Sequence, residues 1–175
     1  NDTVDIYDQM ILIGEYKDHK VKTMLDKVII NHDKKIITPY DLKGTGLRLK
    51  SFPYHFEKMK YYLQASLYTY ILKQWAEENY PDYVVEEFRF IVYSRSDKKP
   101  FIFVTSDSWL SKGFFGYIDY KNNKIKGVAE LLNDYYFYIN TDNYELEREF
   151  MEADEIVLIW YGDYFNNDRD WRWRC

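Results

Sequence analysis

The chain has 175 residues, with 19 Tyr, 11 Phe and 5 Trp but only 7 Gly and 4 Pro. That length suits one domain, spanning 1–175, with a real core, and the composition excludes disordered, linker-like or collagen-like sequence. The net charge of −5 argues against a polyanionic partner, but residues 11–75 carry 12 Lys/Arg against 6 Asp/Glu while residues 76–175 carry 12 against 20, so a local basic field survives on an acidic chain.

The chain opens on Asn1 rather than Met, which leaves room for residues upstream, and no signal peptide leads it. Apolar runs such as 156–161 are too short to span a membrane. The single cysteine is the terminal Cys175, so neither an internal disulfide nor a cysteine-based zinc site is expected, and a reducing, cytoplasmic location is the default. His19, His32 and His55 show no metal-binding spacing.

Residues 9–16 read as a first strand and 21–30 as a second. The polar run 31–35 is a turn, and 36–42 is a third strand. Gly44 and Gly46 then break the pattern. Ser51 and Pro53 mark a helix start, and apolar spacing predicts a helix over 54–75. The 79–82 segment stops it. Strands follow at 84–93 and 100–105, then a helix at 125–139. The acidic stretch 142–155 reads as an exposed helix or turn, 154–161 as a strand and 166–175 as a tail. The order β-β-β-α-β-β-α predicts an α/β (α+β) fold: a mixed β-sheet flanked by helices. Phe88, Phe90, Phe101 and Phe103 alternate along their strands and are expected in the core.

The search for common catalytic motifs fails: there is no P-loop, dinucleotide fingerprint or nucleophile elbow. One constellation remains, formed by Asp26, Asp41, Lys43, Gln64 and Tyr68. Residues two apart share a strand face, so Asp41 and Lys43 are expected to project together, with Leu42 turned into the core. Acid-x-Lys occurs six times in the chain, but only Asp41 both follows an apolar strand and precedes a glycine break. Asp26 sits mid-strand among Leu25, Val28 and Ile29, where an acid needs a partner or a metal. Counted from Asp33, it is 7 residues back and Asp41 is 8 forward. Pairing across that turn therefore sets the two carboxylates side by side. Gln64 and Tyr68 are four apart on one helix face, with Lys60 a turn earlier. Two carboxylates suit a hard cation that also meets a substrate phosphate.

The run Leu25-Asp26, then Asp41-Leu42-Lys43-Gly44-Thr45-Gly46, then Gln64-x-x-x-Tyr68 resembles the PD-(D/E)XK nuclease superfamily. The nearest likeness is its RecB-like and phage recombination exonuclease branch. That resemblance implies a restriction-endonuclease-like core. It implies Asp26, Asp41 and the Leu42 backbone carbonyl as ligands of Mg²⁺ or Mn²⁺, with Lys43 orienting or activating the attacking water. Gln64, Tyr68 and Lys60 would support the site or contact DNA. The family usually supplies a further upstream acid, for which Glu15 is the nearest and weak candidate. The implied activity is metal-dependent DNA hydrolysis, by an exonuclease of recombination or repair. A structure-specific endonuclease and a non-catalytic DNA-binding module on the same fold are the alternatives. DNA is the implied partner, with a homo-oligomer and a recombination partner protein left open. Lys50, Lys58 and Lys60 are the expected phosphate contacts. The run Trp171-Arg-Trp-Arg174 reads as a frayed end or a subunit contact.

Overall fold

The computed structural model describes residues 3–141. Asn1–Asn133 forms one compact unit and Asp134–Cys175 a second. The expected strand 154–161 and tail 166–175 lie outside the described residues. So does the acidic stretch 142–155.

The first unit opens with a long hairpin, β1 (Val4–Tyr16) and β2 (His19–Asn31), followed by β3 (Ile36–Thr45). β2 runs antiparallel to both β1 and β3. A one-turn 3₁₀ helix, α1 (Phe52–Lys58) and α2 (Tyr61–Asn79) carry the chain across the sheet. It returns as β4 (Val84–Val85) and β5 (Arg89–Ser94), both parallel to β3, and then as the antiparallel β6 (Lys99–Val104). The result is a six-stranded mixed sheet in the order β1-β2-β3-β5-β6, with β4 paired to β3. Then follow α3 (Asp107–Phe115), the small β7 (Tyr117–Ile118)–β8 (Lys124–Ile125) ladder and α4 (Val128–Thr141). The second unit begins within α4 at Asp134, and Tyr135 and Tyr136 there meet edge-on. No helix among the described residues is long and apolar enough to cross a membrane.

This is the mixed sheet with flanking helices that the element order predicts, with instructive differences. The expected helix over 54–75 is two helices. Phe52 and Phe56 form the buried side of α1, whereas α2 buries Tyr62, Ala65, Thr69, Leu72 and Ala76. The two apolar stripes are out of phase on a continuous helix. A left-handed residue at Lys60 (φ 55°, ψ 35°) re-phases the chain so that both can face the sheet. The single strand expected over 84–93 is split at Glu86–Phe88, where Glu86 accepts hydrogen bonds from Thr38 and Arg89. The helix α3 was not anticipated, although Ser106 caps it by accepting from the Trp109 amide and Gly116 (φ 81°) ends it. It packs closely on α2: a Cβ on Gly113 would lie 2.4 Å from the Tyr62 carbonyl oxygen.

The core lies between the sheet and α1–α2. Leu25, Val28, Ile30, Ile37, Phe88, Phe90 and Val92 meet Tyr62, Ala65, Ile71 and Leu72 there. Of the four phenylalanines expected inside, Phe88 and Phe90 are buried and Phe103 half-buried, but Phe101 is 54 % exposed. It lies on the outermost strand of the path, which has a neighbour on one edge only. Leu42 is likewise 54 % exposed rather than turned into the core. Asp41 and Lys43 take the helix-facing side of β3, so period-2 alternation sends Leu42 to the other side.

Candidate active site

The site forms where β2 and β3 part. Their ladder runs from Asn31↔Ile36 to Lys27↔Tyr40 and stops. The next rung would pair Asp26 with Asp41, and Asp26 fills it with its side chain: Oδ2 accepts the Leu42 amide at 2.8 Å. A residue's N–H and C=O point to the same edge of a strand, so the Leu42 carbonyl faces the Asp26 edge as well. The hairpin prepares this position. Between Asp8↔Lys27 and Met10↔Leu25 the Gln9–Asp26 rung is missing, and Gln9 has φ 50°. The buried set of β2 switches there from Val21, Thr23 and Leu25 to Val28 and Ile30. Asp26 thus sits at a kink where its side chain is half-buried and released from the regular alternation.

Asp41 is buried at 3 % exposure on the helix-facing side of β3. Its Oδ1 accepts from Gln64 Nε2 at 2.6 Å. Its Oδ2 lies 2.7 Å from Lys43 Nζ, close enough for an ion pair. The ammonium is the polar partner of this buried oxygen. Lys43 Nζ in turn donates to Gln64 Oε1 at 2.9 Å. Gln64 therefore bridges the acid and the base, and only one orientation of its amide satisfies both. The ammonium also stands 4.7 Å from the centre of the Tyr61 ring and 5.9 Å from that of Phe90, and the two rings stack on each other. Such a cation over aromatic faces is held electrostatically.

Burial pushes the Asp41 carboxyl above its ordinary value of 3.8; the Lys43 and Gln64 contacts oppose this, and the charge of Asp26 adds to it. Below the ordinary value Asp41 is protonated in both folded and unfolded chains. As pH rises past it, the unfolded chain loses the proton first, so the unfolded state binds fewer protons and stability falls. The fall ends once pH exceeds the raised folded value. We expect Asp41→Asn to flatten the decline in melting temperature above a pH of about 4. Thermal denaturation across that range measures it, and an undiminished decline in the variant would exclude Asp41 as its source.

The other expected site residues are placed less uniformly. Tyr68 packs edge-on against Phe88 rather than on Lys43 or Asp41, and so supports the helix–sheet contact. Lys60, at the break between α1 and α2, is exposed and not on the continuous face that its spacing implied. Glu15 is not brought to the cluster. It pairs with Lys20, six residues along β1 from the missing Gln9–Asp26 rung, a contour of roughly 20 Å. Its backbone is tied to Gln74 of α2. Tyr61 and Phe90 were missed as site residues. Tyr61 had a signal, since it lies three residues before Gln64 and so shares its helix face.

The donor set fits a hard divalent cation. Two adjacent carboxylates and a strand carbonyl at the same edge are the oxygen ligands such ions take. Among the described residues no three His, Cys, Asp or Glu side chains gather into a larger group.

No family model and no curated protein matches the sequence. Among solved structures, the chain is similar to one from Eubacterium rectale named "Putative exonuclease", at 14% identity and a TM-score of 0.51 over 93% of this chain. The chain spans 57% of the length of that neighbour. The likeness establishes the shared fold.

Proposed function

We propose that the chain is a metal-dependent deoxyribonuclease, of the exonuclease type and with the PD-(D/E)XK arrangement, that hydrolyses DNA phosphodiesters in recombination or repair. The convergence of Asp26, Asp41, Lys43 and Gln64 at the parting of β2 and β3 carries this reading. The fold shared with the structure named "Putative exonuclease" supports it. Asp26, Asp41 and the Leu42 carbonyl would hold Mg²⁺ or Mn²⁺, which when bound would lower the pKa of a water and neutralise phosphate charge. Lys43, fixed by Gln64 and cushioned by Tyr61, positions the attacking water and stabilises charge on the phosphate. The water oxygen bonds to phosphorus as the bond to the leaving sugar oxygen breaks; the water proton passes to solvent, and the leaving oxygen takes a proton from solvent to become the sugar hydroxyl.

The test is digestion of end-labelled linear DNA and closed circular DNA by the full chain, with Mg²⁺ or Mn²⁺ and with chelator. Linear DNA should be degraded, circular DNA spared, and chelator should stop the reaction. Cutting of the circle would assign an endonuclease instead. A second reading follows from the small acid cluster: a non-catalytic DNA-binding module on the same fold. It predicts no cleavage, and no divalent-cation heat in calorimetry, with DNA binding retained.

A further inference from the structure

Beside the Lys43 centre lie two clefts that the hydrolytic site does not use. The first, of about 400 Å³, is walled by Phe52, Phe56, Phe90, Phe103 and Trp109. Phe90 is shared with the ring pair beneath Lys43, and Phe52 stacks on Tyr61. The cleft therefore continues directly from the aromatic support of the ammonium. Tyr54 stands at its rim, 69 % exposed. Thr105 and Glu57 also line it; the Thr105 hydroxyl is buried without a hydrogen-bond partner, and the Glu57 carboxylate can accept from a base-edge amino group. Aromatic walls with a few polar groups describe a site for a flat, polar-edged ring.

The second cleft, of about 470 Å³, shares Pro53 and Phe103 with the first. It is lined by Arg48, Lys50, Lys99 and the exposed Phe101. Its one acid, Asp97, is occupied in accepting the Leu49 amide at 2.6 Å. All three cations are exposed, and no ion pair or hydrogen bond engages their side chains among the described residues.

We propose that these joined clefts bind a single-stranded DNA end. A nucleobase enters the aromatic cleft, and backbone phosphates lie along Arg48, Lys50 and Lys99. Interleaved rings and cations are what an unpaired strand requires, because its bases expose faces for stacking while its phosphates need neutralising. A duplex offers such faces only at its terminal base pairs. The proposal rests on the nuclease reading and deepens it: the strand delivered to Lys43 is an unpaired one.

The test uses the full chain in chelator, so that binding is read without cleavage. Fluorescence anisotropy compares a labelled oligothymidylate with a blunt duplex. The oligonucleotide should bind more tightly. Tyr54→Ala and Phe101→Ala, both at exposed rings, should each weaken it by about 5-fold or more. Replacing Arg48, Lys50 and Lys99 together by Ala should make the log–log salt dependence shallower by about 2. Circular dichroism melts check that each variant stays folded. Preference for the duplex, or oligonucleotide affinity unmoved in all variants, would overturn the proposal. Cleavage of linear DNA without oligonucleotide preference would sink it and leave the nuclease reading standing. Oligonucleotide preference that responds to these variants, without cleavage in any metal, would do the reverse.

Discussion

Lys43→Met is expected to lower DNA cleavage by on the order of 10³-fold, the scale seen when one preorganised charge donor is removed. The reason is local. Lys43 Nζ is held on three sides, by Asp41, by Gln64 and by the Tyr61 ring, so its charge stays in place as charge builds on phosphate. A methionine keeps the length and fills the space over Tyr61 and Phe90 but carries no charge. It also leaves the buried Asp41 without its counter-ion. Breaking a buried pair by removing one partner destabilises by about 3–5 kcal/mol. Asp41→Asn is the needed companion. It removes the buried charge, keeps an oxygen for Gln64 Nε2, and should abolish cleavage as well. The double variant with Lys43→Met should recover stability without recovering activity. Steady-state digestion together with urea denaturation separates the two effects. Lys43→Met retaining near-normal cleavage would remove Lys43 from the reaction.

Phe90→Ala is expected to cost about 3–5 kcal/mol of folding stability, as large-to-small changes of buried aromatics do. Phe90 is 1 % exposed and its ring meets those of Phe52, Phe56, Tyr61 and Phe88. It joins the sheet to both helices of the crossover, so the cavity cannot close without moving α1 or α2. Equilibrium urea unfolding measures the loss. Phe90→Leu, which keeps most of the volume, should cost markedly less. If Ala and Leu cost the same, the ring cluster is not what holds α1 to the sheet. Phe90 also lies beneath Lys43, so the activity of Phe90→Leu should fall more than its stability.

The sequence was legible where a residue's neighbours along the chain determine its place. Apolar runs on either side of a polar turn marked β2 and β3, and alternating phenylalanines marked β5. The count across the Asn31–Lys35 turn set Asp26 opposite Asp41, and the ladder ends one rung short of that pair. The i, i+3 and i, i+4 spacing around Gln64 was readable too, although Lys60 was chosen on that face where Tyr61 belongs. The break at Lys60 has no glycine or proline to announce it; only the mismatched phases of the two apolar stripes reveal it. The kink at Gln9 and Asp26 is written in β2 as a slip in alternation between Leu25 and Val28, a signal easily taken for a uniformly apolar strand.

The sequence by itself determined the class of fold, from the order of its elements, and the placement of Lys43 on the face of Asp41, from strand periodicity; turn length brought Asp26 to the end of the β2–β3 ladder, one rung past its last pair. Tertiary structure alone decided which groups hold Lys43. Gln64 and Tyr61 reach it from α2 and Phe90 from β5, across 18 to 47 residues of chain, and no local period encodes that meeting. It also decided that Glu15 stands apart and that Leu42 faces outward. Those outcomes depend on which strand lies beside which and on which sheet face the helices cover. Packing sets both, through the burial of the aromatic cluster between β5 and the two crossover helices.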